Sequence, residues 1–544
     1  MKEGSRRDIK RLHFLTTSGM HTHCVIGSGP AGVACASALL ARGANVLMLD
    51  AGIELEPDRA EVVRELSREK VADWQPAQIA KVHADSAVNL RGLPHKKLFG
   101  SDFVYRESEG KIPWRGNDDA LRPSLALGGL SNVWGATMLP LRDEDISDWP
   151  IKSSDLDEHY RKVAQITGFA ARRDALEELF PLHAEPVPLK PSRQAALVME
   201  NLERRRDALR ARGWHFGQSR LAVRAADSPR GIGCVYCGHC MTGCVYGCIF
   251  NSAYTVRELQ QQKNFRYERD VIVTKLREDS GSVSIEGFHR QTGQALSFEA
   301  SRVFLGAGVI PTAQILLRSQ NAYDQPLMLR DSQYFLFPIL LARRVRDVET
   351  EALQTLSQVF IELNNPQISR RPVHLQIYTY SDMIGGAVRR SLGPLKLFAR
   401  HVQERLLVVQ GYLHSDESSS IEMKLKRDGQ KDFLQLEPKL NEETPRAIKR
   451  VMFELLKQFR AVGGVVVPPM LQIARPGRGF HCGGSIPMRE RPATFQSDCL
   501  GRPFGWSRVH VVDASVLPSV PSTTITFSVM ANSHRIATQT SGME

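Results

Sequence analysis

The chain has 544 residues, 42% of them hydrophobic, nine cysteines and a formal net charge of +12. That length supports two domains with substantial cores. No run of 18 apolar residues suggests a spanning helix, and no nucleic-acid motif accompanies the basic surplus, so nucleic-acid binding is not expected. The positive charge suits an acidic or phosphate-bearing ligand, or an anionic membrane surface. Five cysteines fall between Cys234 and Cys248, while Cys24, Cys35, Cys482 and Cys499 are scattered. This is not a secreted disulfide framework, and a reduced, cytoplasmic protein is the simpler expectation.

Residues 1–19 are basic and carry Arg6-Arg7, similar to a twin-arginine signal. However, His13-Phe14-Leu15 is followed at once by Thr16-Thr17-Ser18-Gly19, so the apolar region is missing. An extension, or a start at Met20, is expected. Then comes Cys24-Val25-Ile26-Gly27-Ser28-Gly29-Pro30-Ala31-Gly32, answered by Asp50 after Val46-Leu47-Met48-Leu49. This reads as strand, glycine turn, helix, strand, acid. Gly27 permits the turn, Gly29 admits a pyrophosphate, and Gly32 lets helix and strand pack closely. The helix start offers unpaired N–H groups to phosphate, and Asp50 stands where a carboxylate binds a ribose hydroxyl. Dinucleotide binding is expected.

A helix is expected over 59–72. A second glycine turn is Gly128-Gly129-Leu130-Ser131-Asn132-Val133-Trp134. Ser154 to Asp157 reads as a capping box opening a helix to about Ile166. The cysteine segment, 231–250, follows a polar linker. Val271-Ile272-Val273 reads as a strand, Val283–Glu286 and Ala295–Phe298 as a hairpin, and Val303-Phe304-Leu305 as a buried strand before Gly306-Ala307-Gly308. A helix follows from Thr312 to Leu317. Strands at 335–342, 373–379 and 406–413, with an amphipathic helix over 443–461, indicate a sheet-based second domain. After residue 500 come a strand, Val509–Asp513, and a final helix from about 526. The expected fold is α/β: a Rossmann-type nucleotide-binding domain at 20–324 and 481–544, with an α+β substrate domain inserted at 325–480.

Several of these segments together resemble the glucose–methanol–choline (GMC) oxidoreductases, a family of flavoproteins. They are the nucleotide fingerprint, Gly128 to Trp134, Trp149-Pro150-Ile151, Gly306 to Ser319, His481-Cys482-Gly483-Gly484-Ser485, and Val512 to Pro518 with the terminal helix. The resemblance runs from about 22 to 540 and is weakest in the middle. It implies FAD and oxidation of an alcohol, on a small molecule, a sugar or a lipid-linked sugar, by hydride transfer to flavin N5. It places Gly27, Gly29, Gly32 and Asp50 on the ADP half. Gly128, Gly129, Ser131, Asn132 and Trp134 fall along the ribityl and ring portions, Val271 at the adenine, and Gly306 and Asp513 near the pyrophosphate. His481 is implied as the base near the carbinol, a role that suits histidine.

Two positions depart from the family pattern. Thr524 falls where a second His or Asn is usual, and threonine is a poor proton acceptor. His481 then acts alone, or with help from another residue such as His414. Val133 stands where some sugar oxidases bond the flavin covalently, so FAD is expected to be non-covalent.

Cys234, Cys237, Cys240 and Cys244 have the spacing of ferredoxin ligands, without the proline that usually follows the fourth. Three readings stand: a [4Fe-4S] or [3Fe-4S] cluster, a zinc site using His239, or unliganded buried cysteines. A cluster would imply a dehydrogenase with an electron acceptor. The alternatives are an oxidase using O2 and an electron-transfer protein without alcohol turnover. Finally, 388–402 mixes basic and large apolar residues. A helix after Pro394 would put Leu395, Phe398 and Val402 on one face, either packed on the core or in peripheral contact with an anionic membrane, the inner face for a cytoplasmic protein.

Overall fold

The computed structural model describes residues 10–11, 22–83, 95–116 and 121–540. The extension expected over 1–19 and the start at Met20 lie outside the described residues, except for Lys10–Arg11, which pairs parallel with the strand Ala295–Ala300.

The Rossmann-type α/β fold is present. Five parallel strands lie in the order Val509–Val511, Arg302–Leu305, Thr22–Ile26, Asn45–Leu49 and Phe265–Glu268. Their near-continuous apolar runs fit a sheet covered on both faces. One cover is the helix Pro30–Ala41, packed against the C-terminal helix Thr526–Thr540. The turn between the first strand and this helix is tight. Gly27 has φ +98°, and a β-carbon there would lie 2.6 Å from the Gly306 carbonyl oxygen; one at Gly32 would lie 1.9 Å from that of Gly27. Both positions therefore require glycine.

The second core is built on an antiparallel sheet. Its order is Gly464–Val466, Tyr334–Leu341, Leu406–Tyr412, Val373–Tyr378, Val359–Leu363 and Trp214–Gln218. The helices Arg193–Glu203 and Glu443–Val462 bury their apolar faces on one side of it. A further five-stranded sheet holds the hairpin Ser420–Asp428 and Lys431–Lys439, and packs Leu327, Ile421 and Leu434 into the first core. The two cores therefore interleave along the chain. The second takes Trp214–Gln218 from the 20–324 block, and the first takes 326–331 and 420–439 from the 325–480 block.

Two local expectations change. The capping box expected at Ser154 is instead made by Asp155, which accepts the Lys152 N–H at 2.9 Å. A short 3-10 turn, Ser153–Leu156, precedes the helix Asp157–Thr167. The helix expected after Pro394 is kinked. Residues Gly393–Phe398 form 3-10 turns with a break at Leu395, and Ala399–Gln403 is a separate short helix. The kink parts the expected face: Leu395 and Phe398 are exposed, while Val402 packs inward.

Candidate active site

A cavity of about 740 Å3 runs from the glycine turn at Gly27 to the second sheet, with His481 on its wall. Its inner end is the nucleotide fingerprint. Gly27, Ser28, Gly29 and Asp50 line it, and a β-carbon at Gly29 would project into open space with no atom within 4 Å. The Asp50 carboxylate accepts from Ser28 N (3.1 Å) on Oδ1, and from Ser28 Oγ (2.8 Å), Gly52 N (3.1 Å) and Tyr267 Oη (3.0 Å) on Oδ2. Burial raises its pKa to about 6, against those hydrogen bonds. Oδ1 keeps acceptor capacity for a further hydroxyl. Gly32 sits behind the turn, touching the Gly27 carbonyl rather than the cavity.

The second glycine turn covers this end, with the Gly128 N–H donating to Ser28 Oγ at 2.9 Å. Gly129, Ser131 and Trp134 line the cavity. Gly128 and Asn132 lie behind it, the Asn132 amide donating to the carbonyls of Leu127 and Gly129. Gly306 and Asp513 also line it. Asp513 accepts from Gly308 N, Thr312 Oγ1 and Ser515 N, so it fastens the start of the helix Val309–Ser319. Val271 is not on the wall; its N–H donates to the Asp50 carbonyl at 3.0 Å.

His481 precedes the short strand Cys482–Gly483, which pairs with Pro326–Asp331. Its ring packs on Tyr412 at 4.7 Å between centroids. Its Nδ1 is buried and makes no hydrogen bond. Burial lowers the ring's pKa to about 4, with His374 adding to the effect, so it is neutral at pH 7 and able to accept a proton. Thr524 lines the same cavity and donates to the Thr137 carbonyl at 3.3 Å. The help expected from His414 is excluded. That ring is off the cavity, with its Nδ1 accepting the Asp416 N–H at 3.1 Å and its Nε2 against the Asp145 carbonyl oxygen at 3.3 Å.

Sequence reasoning missed the rest of the wall. The antiparallel register aligns Tyr334, Tyr412 and His374 in one row, Leu336, Gln410 and Gln376 in the next, then Pro338, Val408 and Tyr378. Side chains alternate along a strand, so one face supplies the cavity and the other the core. Glu362 accepts from His374 Nδ1, Gln376 Nε2 donates to His374 Nε2 at 3.1 Å, and Tyr378 donates to Gln376 Oε1 at 3.0 Å. Period-two alternation could have pointed to this polar series. The cavity is thus graded. Tyr334, Tyr412, Gln410 and Gln376 lie toward His481, whereas Leu340, Leu406, Ile384 and Val388 wall the far end. Lys96 also lines it, its Nζ donating to the Trp134 carbonyl; burial pushes its pKa down to about 8.

The five clustered cysteines line a separate, small cavity with apolar neighbours. Among the described residues, no group of three or more His, Cys, Asp or Glu side chains is placed to hold a metal ion. The cluster expected at Cys234, Cys237, Cys240 and Cys244 is therefore not supported, and neither is zinc. Burial pushes the thiols of Cys234 and Cys237 up to about 12. His239 turns to His83 instead, at 2.7 Å.

Residues 470–533, which include His481, Asp513 and Thr524, match the family model described as GMC oxidoreductase. The chain carries a GMC oxidoreductase segment. The GMC resemblance read from the sequence is borne out over this segment. Among solved structures, the chain is similar to pyridoxine 4-oxidase from Mesorbium loti, at 15% identity and a TM-score of 0.57. The match covers 96% of this chain and 100% of that one. At that identity the likeness is one of fold. No curated protein matches the chain. The GMC expectation of FAD fits the cavity. Its inner end offers an open approach at Gly29, the start of the helix Pro30–Ala41 and spare acceptor capacity on Asp50.

Proposed function

We propose that this chain is an FAD-dependent oxidoreductase acting on the CH–OH group of an alcohol, with His481 as the base. The observation that carries this reading is a neutral His481 imidazole, packed on Tyr412, on the wall of the same cavity that the fingerprint lines. Gly27, Gly29 and Asp50 would hold the ADP half of FAD, Ser131 and Trp134 the ribityl and ring portions, and Asp513 would fix the helix start beside the pyrophosphate. FAD, when bound, supplies the two-electron acceptor that alcohol oxidation needs.

His481 takes the hydroxyl proton as the carbinol carbon is oxidised. Tyr412, against its ring, limits the orientation of the imidazole. Thr524 lacks the basicity to share the proton, but its hydroxyl oxygen can accept a hydrogen bond from the alcohol. The graded wall favours an alcohol with a polar head at His481 and an apolar body beyond it, as a lipid-linked sugar has.

The test is anaerobic reduction of the FAD-loaded protein by a panel of alcohols, followed by bleaching of the flavin band. His481→Ala should slow reduction by about 10²–10⁴-fold while FAD is retained. Unchanged reduction in the variant overturns the assignment, and no reduction by any alcohol favours an electron-transfer protein. Mixing the reduced protein with O2 then distinguishes the two catalytic forms. Slow reoxidation identifies a dehydrogenase that needs another electron acceptor, and fast reoxidation an oxidase.

A further inference from the structure

The apolar end of the cavity is closed by the helix Asp382–Leu392 and the turns after it. Ile384, Val388, Leu392 and Val402 face inward and join a small cluster with Leu340 and Leu406, apart from the two main cores. Just beyond, the chain turns outward. Leu395 is 58% exposed, Leu397 85% and Phe398 59%. The other large exposed apolar side chains are spread along the chain, whereas these three fall within four residues. The surrounding sequence is basic: residues 382–405 contain Arg389, Arg390, Lys396, Arg400 and Arg405 against Asp382 and Glu404, with Arg389 also paired to Glu349 and Arg400 to Asp347. Glu404 is buried and paired with Arg344 and Arg400.

Solvation alone does not account for this arrangement. Three large apolar side chains held in water at one tip are unfavourable unless something covers them. A basic collar around an apolar tip complements an anionic bilayer, where the tip enters the acyl boundary and the collar meets headgroup phosphates. Among the described residues no helix is long and apolar enough to cross a membrane, so the contact is peripheral. The same helix walls the apolar end of the cavity, so a bilayer on the tip lies next to the end that would take a lipophilic body.

We propose that this protein docks on an anionic lipid bilayer through Leu395, Leu397 and Phe398, presenting the apolar end of its cavity to the membrane. The orientation of the cavity rests on the alcohol-site reading above; the docking does not.

The experiment is co-sedimentation of the full FAD-loaded chain with phosphatidylcholine vesicles, with or without about one third phosphatidylglycerol. The protein should pellet with the anionic vesicles and largely stay in solution with the neutral ones. The double variant Leu397→Ser/Phe398→Ser should partition at least about tenfold more weakly. Neither residue lines the cavity, so its flavin content and flavin reduction by a short soluble alcohol should be unchanged. Leu397→Trp should bind, and its added fluorescence should shift to the blue on anionic vesicles, a signal that misfolding without vesicle binding does not give. Equal pelleting of wild type and double variant overturns the proposal, as does wild type that stays in solution. A dimer in the absence of lipid, broken by the double variant with no vesicle binding, also overturns it and makes the tip an interface between copies. Vesicle binding without flavin reduction by any alcohol leaves docking established and removes the alcohol-site reading instead.

Discussion

The thiol of Cys482 donates a hydrogen bond to the buried Asp331 carboxyl at 3.2 Å, one residue beyond His481. Asp331 Oδ2 also accepts the Gly477 N–H at 2.8 Å, so one side chain ties both ends of the 477–482 loop. In the proposed reaction it would act through the position of His481. Asp331→Asn should lower kcat about tenfold by misplacing the imidazole, with FAD content unchanged. A structural role alone would lower stability and flavin content together, so both are measured beside kcat.

The same carboxyl sets a pH dependence of stability. Burial raises Asp331 from 3.8 to about 6, opposed by its hydrogen bonds from Gly477 and Cys482. A carboxyl that binds its proton more tightly when folded contributes stability fully below pH 3.8 and loses it as pH rises to about 6. The difference amounts to about 3 kcal/mol. Urea unfolding of the wild type from pH 4 to pH 7 should show this decline, and Asp331→Asn should flatten it. An unchanged slope in the variant would assign the decline to other groups, Asp50 among them.

For His481 the sign is opposite. Its pKa is lowered to about 4 by burial, with His374 contributing, so the ring sheds its proton well below neutrality. The rate of flavin reduction should be flat from pH 8 to about pH 5.5 and fall as the ring protonates toward pH 4. A fall centred near 6.5 would mean an ordinary, hydrated imidazole and would count against a buried base.

Gly32→Ala puts a β-carbon 1.9 Å from the Gly27 carbonyl oxygen, a clash with a backbone atom that no side-chain rotation relieves. We expect a loss of about 2 kcal/mol or more and weaker retention of FAD, because the displaced turn is the one that faces the cavity. Thermal unfolding and the flavin-to-protein ratio measure both effects. Gly110→Ala, in the short helix Ser108–Lys111 with no atom within 4 Å and no left-handed φ, is the control.

Cys244 stands apart from its neighbours. Hydrogen bonds from Cys248 and from neighbouring backbone N–H groups lower its thiol below the usual range, whereas burial raises Cys234 and Cys237 to about 12. Iodoacetamide at pH 7 should modify Cys244 before those two, since its sulfur accepts the Cys248 backbone N–H at 3.3 Å. Peptide mass spectrometry gives the order.

Much of the nucleotide half was legible because its signals are local. Gly27, Gly32 and Asp50 do work that spacing alone encodes, and the terminal helix begins at Thr526, as the pattern indicates. The helix expected over 443–461 is Glu443–Val462, since twenty residues of amphipathic periodicity leave little ambiguity. The strand Trp214–Gln218 was not legible, because its place is fixed by pairing with Val359–Leu363, far along the chain. The hairpin Ser420–Lys439 hid behind charged residues that alternate with a buried row of Ile421, Met423 and Leu425. At the site, His481 could be read from its motif, but Asp331, Gln376 and Tyr412 could not. They reach it through sheet register, and nothing in their own neighbourhoods marks them. Lys10–Arg11 and the kink at Leu395 likewise depend on tertiary context.

The strands Tyr334–Leu341 and Leu406–Tyr412 serve two masters through one backbone. Odd positions such as Phe335 and Ile339 belong to the core, while Tyr334, Leu336 and Leu340 meet whatever enters the cavity. Because the two sets alternate, substitutions in one need not disturb the other. Descendants of this chain could exchange one substrate for another by changing every second residue, with the scaffold inherited intact.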